Sequence, residues 1–274
     1  MEIIYTNLQY KNSGDKMKNK IIIIGANDFQ NPLILKAKEL GYETHVFAWK
    51  DGSIGEETAD FFYPISIVEK EKILEECKKI KPQAVVSIGS DLATITVNYV
   101  AKALNLPCNN PEILLQCTNK YEMRKVFLNN DISVPKFIKI GTNEEILLEG
   151  FQFPVIVKPT DRSGSRGIFL CKDFKEVKKA VSIAAELSFE KKAIIEEYID
   201  GEEYSCEGIT QNYIHTLLTF TKKYTTGAPN FIETGHIQPS GLTQEQKELF
   251  VKLSKTNEKS ESFFDKVKKF FKEK

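Results

Sequence analysis

Four consecutive isoleucines at 21–24, followed by Gly25, constrain the fold of this chain more than any other feature. A continuous apolar run that ends at a glycine is typical of a strand covered on both faces, as in a parallel sheet. A helix is predicted next, from about Pro32 to Leu40, because Gly41 stands where a helix would end. This strand and helix form the first unit of an alternating pattern.

Strands and helices continue to alternate through the first part of the chain. Asp91 is predicted to be the N-cap of a helix at 91–104. Such alternation indicates an α/β domain with a parallel, doubly wound sheet of the Rossmann-like type. We assign this domain to residues 18–110 and treat 1–17 as an extension, with Met17 as the hypothetical start of translation. The other predicted elements are strands at 43–49, 61–66 and 84–89 and a helix at 71–80.

A different pattern follows, in which short strands outnumber helices. A helical stretch is predicted from Pro111 to about Leu128, and an amphipathic helix at 173–187. Strands separated by turn residues indicate an antiparallel sheet with helices on one side, an α+β arrangement that we assign to residues 111–255. The other predicted elements are a short helix near Glu144, strands at 134–140, 154–159, 168–171, 193–199, 203–210 and 214–224, and a helix at 242–255.

Composition disfavours several classes of function. The chain has 38 basic and 38 acidic residues and a formal net charge of +0, so no nucleic-acid partner is expected. Its five cysteines are scattered without a C-x-x-C pair, which argues against a zinc site and fits reduced thiols in the cytoplasm. No apolar run is long enough to span a bilayer, and the first residues do not form a signal peptide.

Two common nucleotide fingerprints are missing. The chain contains no Walker-type G-x-x-x-x-G-K-[ST] loop, and Gly25 does not open a G-x-G-x-x-G sequence. A dinucleotide-binding protein of the Rossmann type is therefore a disfavoured interpretation.

The segment at 154–170 carries the strongest indication of chemistry. An apolar strand leads to Lys158, whose ammonium is rigidly aimed and can meet a phosphate. Small residues and glycines follow, and their backbone N–H groups can surround phosphate oxygens. A polar hairpin between two strands is the alternative, but the flanking lysine and arginine favour phosphate binding. The residues of this loop are Ser163, Gly164, Ser165, Arg166 and Gly167.

Two further segments are compatible with nucleotide binding. The strand that contains Glu196 and Glu197 can read adenine through its backbone, and Glu203 can accept hydrogen bonds from ribose hydroxyls. Lys120 stands in the first turn of a predicted helix, where the helix dipole disfavours a cation unless an anion is near. Each feature taken alone also fits surface glutamates on ordinary strands or a solvated lysine.

Taken in order, these segments resemble the ATP-grasp superfamily over roughly residues 20–252. The matching sequences are T-N-K-Y-E-M-R-K, P-V-I-V-K-P, S-G-S-R-G, I-E-E-Y-I and G-E-E-Y-S. The resemblance implies a Rossmann-like pre-ATP-grasp domain followed by α+β lobes that clasp ATP. It also implies ligation of a small-molecule carboxylate to an amine through an acylphosphate, with release of ADP. By position it assigns Lys120, Lys158 and the loop from Ser163 to Gly167 to the phosphates, Glu196 and the backbone of Glu197 and Ile199 to adenine, and Glu203 to ribose.

The resemblance also points to amino acids as substrates, and it breaks where the metal should bind. The segment at 231–242 looks like one found in carboxylate–amine ligases that act on amino acids, so His236 is a candidate substrate residue. A histidine near a turn also fits an ordinary surface position.

Magnesium needs carboxylate oxygens, which in this superfamily come from late strands ending in E-x-N. No E-x-N follows Gly208, and none of the later acids, Glu233 included, is predicted to lie in a late strand. No metal ligand is therefore assigned, and the last lobe is expected to be incomplete.

A basic amphipathic helix is predicted at 256–274 in place of those strands. Its phenylalanines fall on one face. It could contact an anionic membrane, pack over surface that the missing strands would cover, or result from a frameshift, and the last two fit better. Two readings of function stay open: an ATP-dependent carboxylate–amine ligase, and a non-catalytic ATP-binding or interaction module.

Overall fold

The computed structural model describes residues 19–211 and 214–253 of the chain. The predicted extension at 1–17 and the predicted tail helix at 256–274 lie outside these residues. The chain divides into two compact units, with the boundary between Leu114 and Leu115. In the part that is described, no helix is both long enough and apolar enough to cross a membrane.

The first unit contains the predicted parallel sheet. Its strands run in the order β3-β2-β1-β4, and every neighbouring pair is parallel. The strands are β1 (Lys20–Ile24), β2 (Glu43–Phe47), β3 (Phe61–Tyr63) and β4 (Ala84–Val86), and the helices are α1 (Asn31–Glu39), α2 (Gly55–Thr58), α3 (Lys70–Ile80) and α4 (Asp91–Ala103).

The isoleucine run is explained by burial on both faces of β1. Ile22 and Ile24 pack in one core cluster with Ile73 of α3, and Ile21 and Ile23 pack in another with α1. Side chains alternate between the faces of a strand, so a strand covered on both sides must be apolar at every position. The prediction of a doubly wound sheet is confirmed.

The predicted cap of α4 is wrong by one residue. Ser90 is the N-cap: its side chain accepts a hydrogen bond from the N–H of Ala93 over 3.2 Å, and its backbone is extended. Asp91 is the first helical residue instead. Serine caps as well as aspartate does, and an aspartate in the first turn interacts favourably with the positive end of the helix dipole.

The second unit contains two antiparallel sheets, of order β5-β8-β6-β7 and β11-β10-β9. The α5 helix (Pro111–Thr118) includes the boundary between the units. The remaining helices are α6 (Lys120–Asn129), α7 (Phe174–Leu187) and α8 (Gln244–Leu253), and the strands are β5 (Phe137–Gly141), β6 (Val155–Pro159), β7 (Phe169–Cys171), β8 (Lys192–Glu197), β9 (Glu203–Gln211), β10 (Ile214–Thr225) and β11 (Glu233–Ile237).

One helix prediction in this unit is refined and one is wrong. The stretch from Pro111 to Leu128 is two helices, and Lys120 lies in the first turn of the second, as predicted, because the side chain of Asn119 accepts the N–H groups of Tyr121 and Glu122 and so starts α6. Glu144 lies in a turn rather than a helix, where its carboxylate accepts the N–H of Gly141 over 2.9 Å.

Helices lie on both faces of the sheet β5-β8-β6-β7, which corrects the prediction of helices on one side. Val157 and Ile195 pack with α7 in a buried core. The α6 helix lies on the other face, where the ring of Tyr121 meets that of Phe137 edge-on at 5.6 Å. This second face carries the polar side chains described next.

Candidate functional site

Lys158 and Glu196 share the face of the sheet that is turned away from α7. Their strands are neighbours, and the register pairs Lys158 with Ile194, two residues before Glu196. Val157 and Ile195 point into the α7 core, so alternation along each strand puts Lys158 and Glu196 on the opposite face. Here the Lys158 ammonium forms an ion pair with Glu196.

A second cation completes a buried ion triad. The Nε of Arg124 donates to Oε1 of Glu196 over 2.6 Å, while Lys158 contacts Oε2. Burial of Glu196 would raise its pKa, but the charges and hydrogen bonds of Lys158 and Arg124 outweigh this and lower the pKa of the carboxyl. One carboxylate between two cations leaves an excess positive charge, which favours the approach of an anion.

Arg124 was missed by the sequence reasoning. The available signal was its spacing from Lys120, since residues four apart lie on the same face of a helix. Its partner Glu196 is 72 residues away in sequence, and only the packing of α6 on the sheet brings the two together.

Lys120 is attached to the loop that follows Lys158. It is the first residue of α6, and its backbone N–H donates to the carbonyl of Thr160 over 2.7 Å. Its ammonium donates to the carbonyl of Arg162. The two predicted phosphate lysines therefore approach one loop, one from the end of a strand and one from the start of a helix.

The loop at 163–167 has the conformation that its glycines predict. Gly164, Ser165 and Gly167 have φ of 70°, 54° and 73°, the left-handed region. A Cβ on Gly167 would lie 2.7 Å from a methyl carbon of Leu187, so any larger residue there would require the Leu187 side chain to move. Ser163, Gly164 and Arg166 are exposed.

The loop is held at its root and at its tip. At the root, the carboxylate of Asp161 accepts the N–H groups of Phe189 and Glu190 over 3.1 and 3.0 Å. At the tip, the hydroxyl of Ser165 donates to the carbonyl of Phe231 over 2.7 Å. This contact connects the loop to the segment between β10 and β11.

The end of β8 presents an open hydrogen-bond donor. The N–H of Glu197 donates to Lys136 and that of Tyr198 to Pro154, over 3.0 and 3.1 Å. Among the described residues, the N–H of Ile199 has no hydrogen-bond partner. The strand ends at Glu197, two residues earlier than predicted, so Ile199 lies just beyond the ladder.

A polar row crosses the sheet β11-β10-β9. The register pairs Lys223 with Glu203 on one side and with His236 on the other. The Lys223 ammonium lies 3.1 Å from Glu203 and 3.6 Å from Glu233. His236 contacts Glu233 through Nε2 at 2.9 Å and Thr221 through Nδ1 at 3.0 Å. The hydrogen bond from His236 and the charge of Lys223 lower the pKa of Glu233 despite its partial desolvation.

Two expectations are corrected in this row. His236 lies within β11 rather than at a turn, and Glu233 is the first residue of that strand rather than outside any strand. Lys223 was not singled out from the sequence. Cross-strand register brings these residues together, and register is set by pairing that the sequence of one strand does not reveal.

The opposite face of this sheet packs against α8. The rings of Tyr204 and Phe220 lie 6.4 and 5.9 Å from the ring of Phe250. The polar row is therefore on the face turned away from α8. Between the described residues, no direct contact joins Glu203 to Lys158; the Ser165–Phe231 hydrogen bond and the contact between the rings of Tyr198 and Phe231, 6.5 Å apart, link the two sheets at this site.

The described residues contain no metal cluster. Over 19–211 and 214–253, no group of three or more histidine, cysteine, aspartate or glutamate side chains is arranged to hold a metal ion.

Comparison with known proteins supports one assignment. A family described as the ATP-grasp domain matches residues 151–263. The D-alanine--D-alanine ligase of Clostridium botulinum (strain Okra / Type B1) is 30% identical over 148 residues, covering 52% of this chain and 49% of the ligase. The chain thus spans about half the length of this curated relative.

Solved structures show the same fold. The L-amino acid ligase from Bacillus licheniformis matches 88% of this chain and 59% of its own, with a TM-score of 0.72 and 22% identity. The biotin carboxylase domain of the Hydrogenobacter thermophilus 2-oxoglutarate carboxylase, solved with MgADP, ADP and bicarbonate, matches 88% of this chain and 57% of its own, with a TM-score of 0.74 and 17% identity. The ordered motifs, the two-unit fold and the match of residues 151–263 to the ATP-grasp domain agree with one another.

Proposed function

We propose that this chain binds ATP beside Lys158 and takes part in joining a carboxylate to an amine through an acylphosphate, with release of ADP. The observation that carries the proposal is the position of two lysines next to the glycine-containing loop: Lys158 lies at the end of the strand that precedes it, and Lys120 bonds to the carbonyls of Thr160 and Arg162 at its start. Two cations on rigid elements beside exposed backbone N–H groups suit a chain of phosphates. Relatives named as ligases support the same chemistry.

Each residue has a defined task in this proposal. Lys120 and Lys158 neutralise phosphate oxygens, and the loop at 163–167 covers them with backbone N–H groups. The open N–H of Ile199 and the backbone of Glu197 read the edge of adenine, beside Glu196. Glu203 accepts hydrogen bonds from the ribose. ATP supplies the phosphoryl group that activates the carboxylate.

Small amino acids are the proposed substrates. A free amino acid carries an ammonium and a carboxylate, and the polar row offers a group of each sign in Lys223 and Glu233, 3.6 Å apart. His236 lies beside them with its ring held between Glu233 and Thr221. This arrangement supports a substrate role for His236. We place the reaction in the cytoplasm, in keeping with five free cysteines.

Magnesium is the proposed companion of the nucleotide, as in a relative solved with MgADP. The described residues do not form a magnesium site, so no step is derived through a metal. Among the described residues, side chains and backbone groups suited to the nucleotide are present, whereas a cluster of metal ligands is not.

ADP release tests the proposal. The full chain is incubated with ATP, Mg²⁺ and mixtures of amino acids, and ADP and the ligated product are followed by chromatography. The ligase proposal predicts ADP formation that depends on an added amino acid. ATP binding without ADP formation in any mixture would indicate a nucleotide-binding module instead. Absence of ATP binding would overturn the proposal as a whole.

A further inference from the structure

Glu196 holds two cations on separate oxygens. Lys158 contacts Oε2, whereas Arg124 donates to Oε1 over 2.6 Å. The carboxylate is almost fully buried, with 4% of its side chain exposed, while 16% of the Lys158 side chain and 23% of the Arg124 side chain are exposed. The two cations therefore contact different oxygens of one buried carboxylate.

Phosphate binding by Lys158 creates a problem for Glu196. A buried carboxylate that loses its partner is strongly destabilised, because the protein interior does not replace the lost hydration. If Lys158 were the sole partner of Glu196, moving its ammonium to a phosphate would leave such a carboxylate behind. A second cation that stays in place removes this cost.

Arg124 has the properties of that second cation. Its guanidinium does not lose its proton in proteins, and it is anchored on α6, whose N-cap Asn119 is itself buried and bonded to Glu190. The helix also carries Lys120, one turn earlier on the same face.

We infer that Arg124 is the permanent counter-ion of Glu196 and Lys158 the exchangeable one. On nucleotide binding, Lys158 moves its ammonium from Oε2 of Glu196 to a phosphate oxygen, and Arg124 keeps the carboxylate neutralised. This inference rests on the proposed ATP site. Arg124 is thus a positioning residue that makes Lys158 available without touching the nucleotide. The vacated Oε2 is then open to the adenine side of the site, compatible with the role predicted for Glu196.

The test is a double-mutant cycle measured by calorimetry with two probes, ATP and adenosine. Arg124→Met keeps the length of the side chain and removes its charge, so it should weaken ATP binding by about tenfold or more. Adenosine has no phosphate and does not draw Lys158 away, so its affinity should change by less than about twofold. In the Glu196→Gln background no carboxylate needs a counter-ion, and the same Arg124→Met change should alter ATP affinity by less than about threefold. Arg124→Lys should stay close to the wild type.

A purely structural role of Arg124 gives a different result. It predicts equal losses for ATP and adenosine and no rescue by Glu196→Gln, and either outcome overturns the inference. If Arg124→Met does not fold, the inference is tested by measuring ATP and adenosine affinities in Glu196→Gln alone. The inference predicts a higher ratio of ATP to adenosine affinity in that variant, because Lys158 no longer has a carboxylate to leave, and an unchanged or lower ratio contradicts it. Failure of the wild type to bind ATP would instead refute the proposed function.

Discussion

The parallel sheet of the first unit and the sheet β5-β8-β6-β7 of the second unit use their faces differently. In the first, the isoleucines of β1 are buried on both sides. In the second, one face is apolar against α7, and the other carries Lys158, Glu196 and the contact with α6. Apolar side chains fill both faces of β1 and leave no position for chemistry, whereas the face of the second sheet beside α6 holds ionisable side chains that can support it. The candidate site lies where apolar and polar residues alternate.

The largest difference between the two sheets should appear in the stability lost when a strand side chain is truncated to alanine. Ile23→Ala removes a fully buried side chain and should lower the free energy of unfolding by about 2–5 kcal/mol. Ile156→Ala, on the face of β6 that carries Lys158, removes a half-buried side chain and should cost about 1 kcal/mol. Urea unfolding followed by circular dichroism, with hydrogen exchange to assign the loss to each unit, measures both. Equal costs would mean that the second sheet is packed as tightly at Ile156 as the first sheet is at Ile23.

The helix caps of the two units provide a smaller contrast. Ser90→Ala removes one cap hydrogen bond from α4 and should cost about 1 kcal/mol. Asn119→Ala removes the cap of α6 and also the bond from its Nδ2 to Glu190, so it should cost about 2 kcal/mol. Thermal unfolding of both variants gives the ranking, and a costlier Ser90→Ala would contradict the part given to Asn119 in anchoring α6.

Alanine substitution of Gly164 and of Gly167 should destabilise the protein by different amounts. Both Gly164 and Gly167 have positive φ, so alanine at either position should cost about 1 kcal/mol through backbone strain. At Gly167 the new methyl group would also meet Leu187 and Pro159, whereas nothing lies within 4 Å of that position at Gly164. Gly167→Ala should therefore be the less stable variant in urea unfolding. The reverse order would show that the loop is packed at its tip rather than at Gly167.

The buried carboxylate should give the smallest effect, visible as a pH dependence. The folded-state pKa of Glu196 is lowered, so its contribution to stability is fully present above the unfolded-state value and is lost as pH falls through the folded-state pKa. The stability difference between wild type and Glu196→Gln should be constant near neutral pH and should diminish in the acid range, below the ordinary glutamate value of 4.5. Urea titrations across that range test this, and a difference that grows on acidification would have the wrong sign.

The sequence predicts much of this architecture because local patterns determine it. The run at 21–24 predicts a doubly covered strand, the periodicity at 173–187 predicts α7, and the glycines of the 163–167 loop predict positive φ angles in its backbone. In each case the pattern lies within one element, so no knowledge of distant partners is needed.

The missed features depend on contacts between distant elements. The pairing of Arg124 with Glu196 requires α6 to lie on the face of the sheet that carries Glu196. To predict the polar row through Lys223 and His236, one must know how β10 is aligned with both β9 and β11.

ATP titration of a single lysine variant tests the central claim most directly. In calorimetry, Lys158→Ala should weaken ATP binding by about 10–100-fold, because a charge-assisted contact with phosphate is lost. Lys175→Ala, on the exposed side of α7, should bind ATP as the wild type does. Wild-type ATP affinity in Lys158→Ala would contradict the claim that this lysine, Lys120 and the loop at 163–167 form a phosphate site.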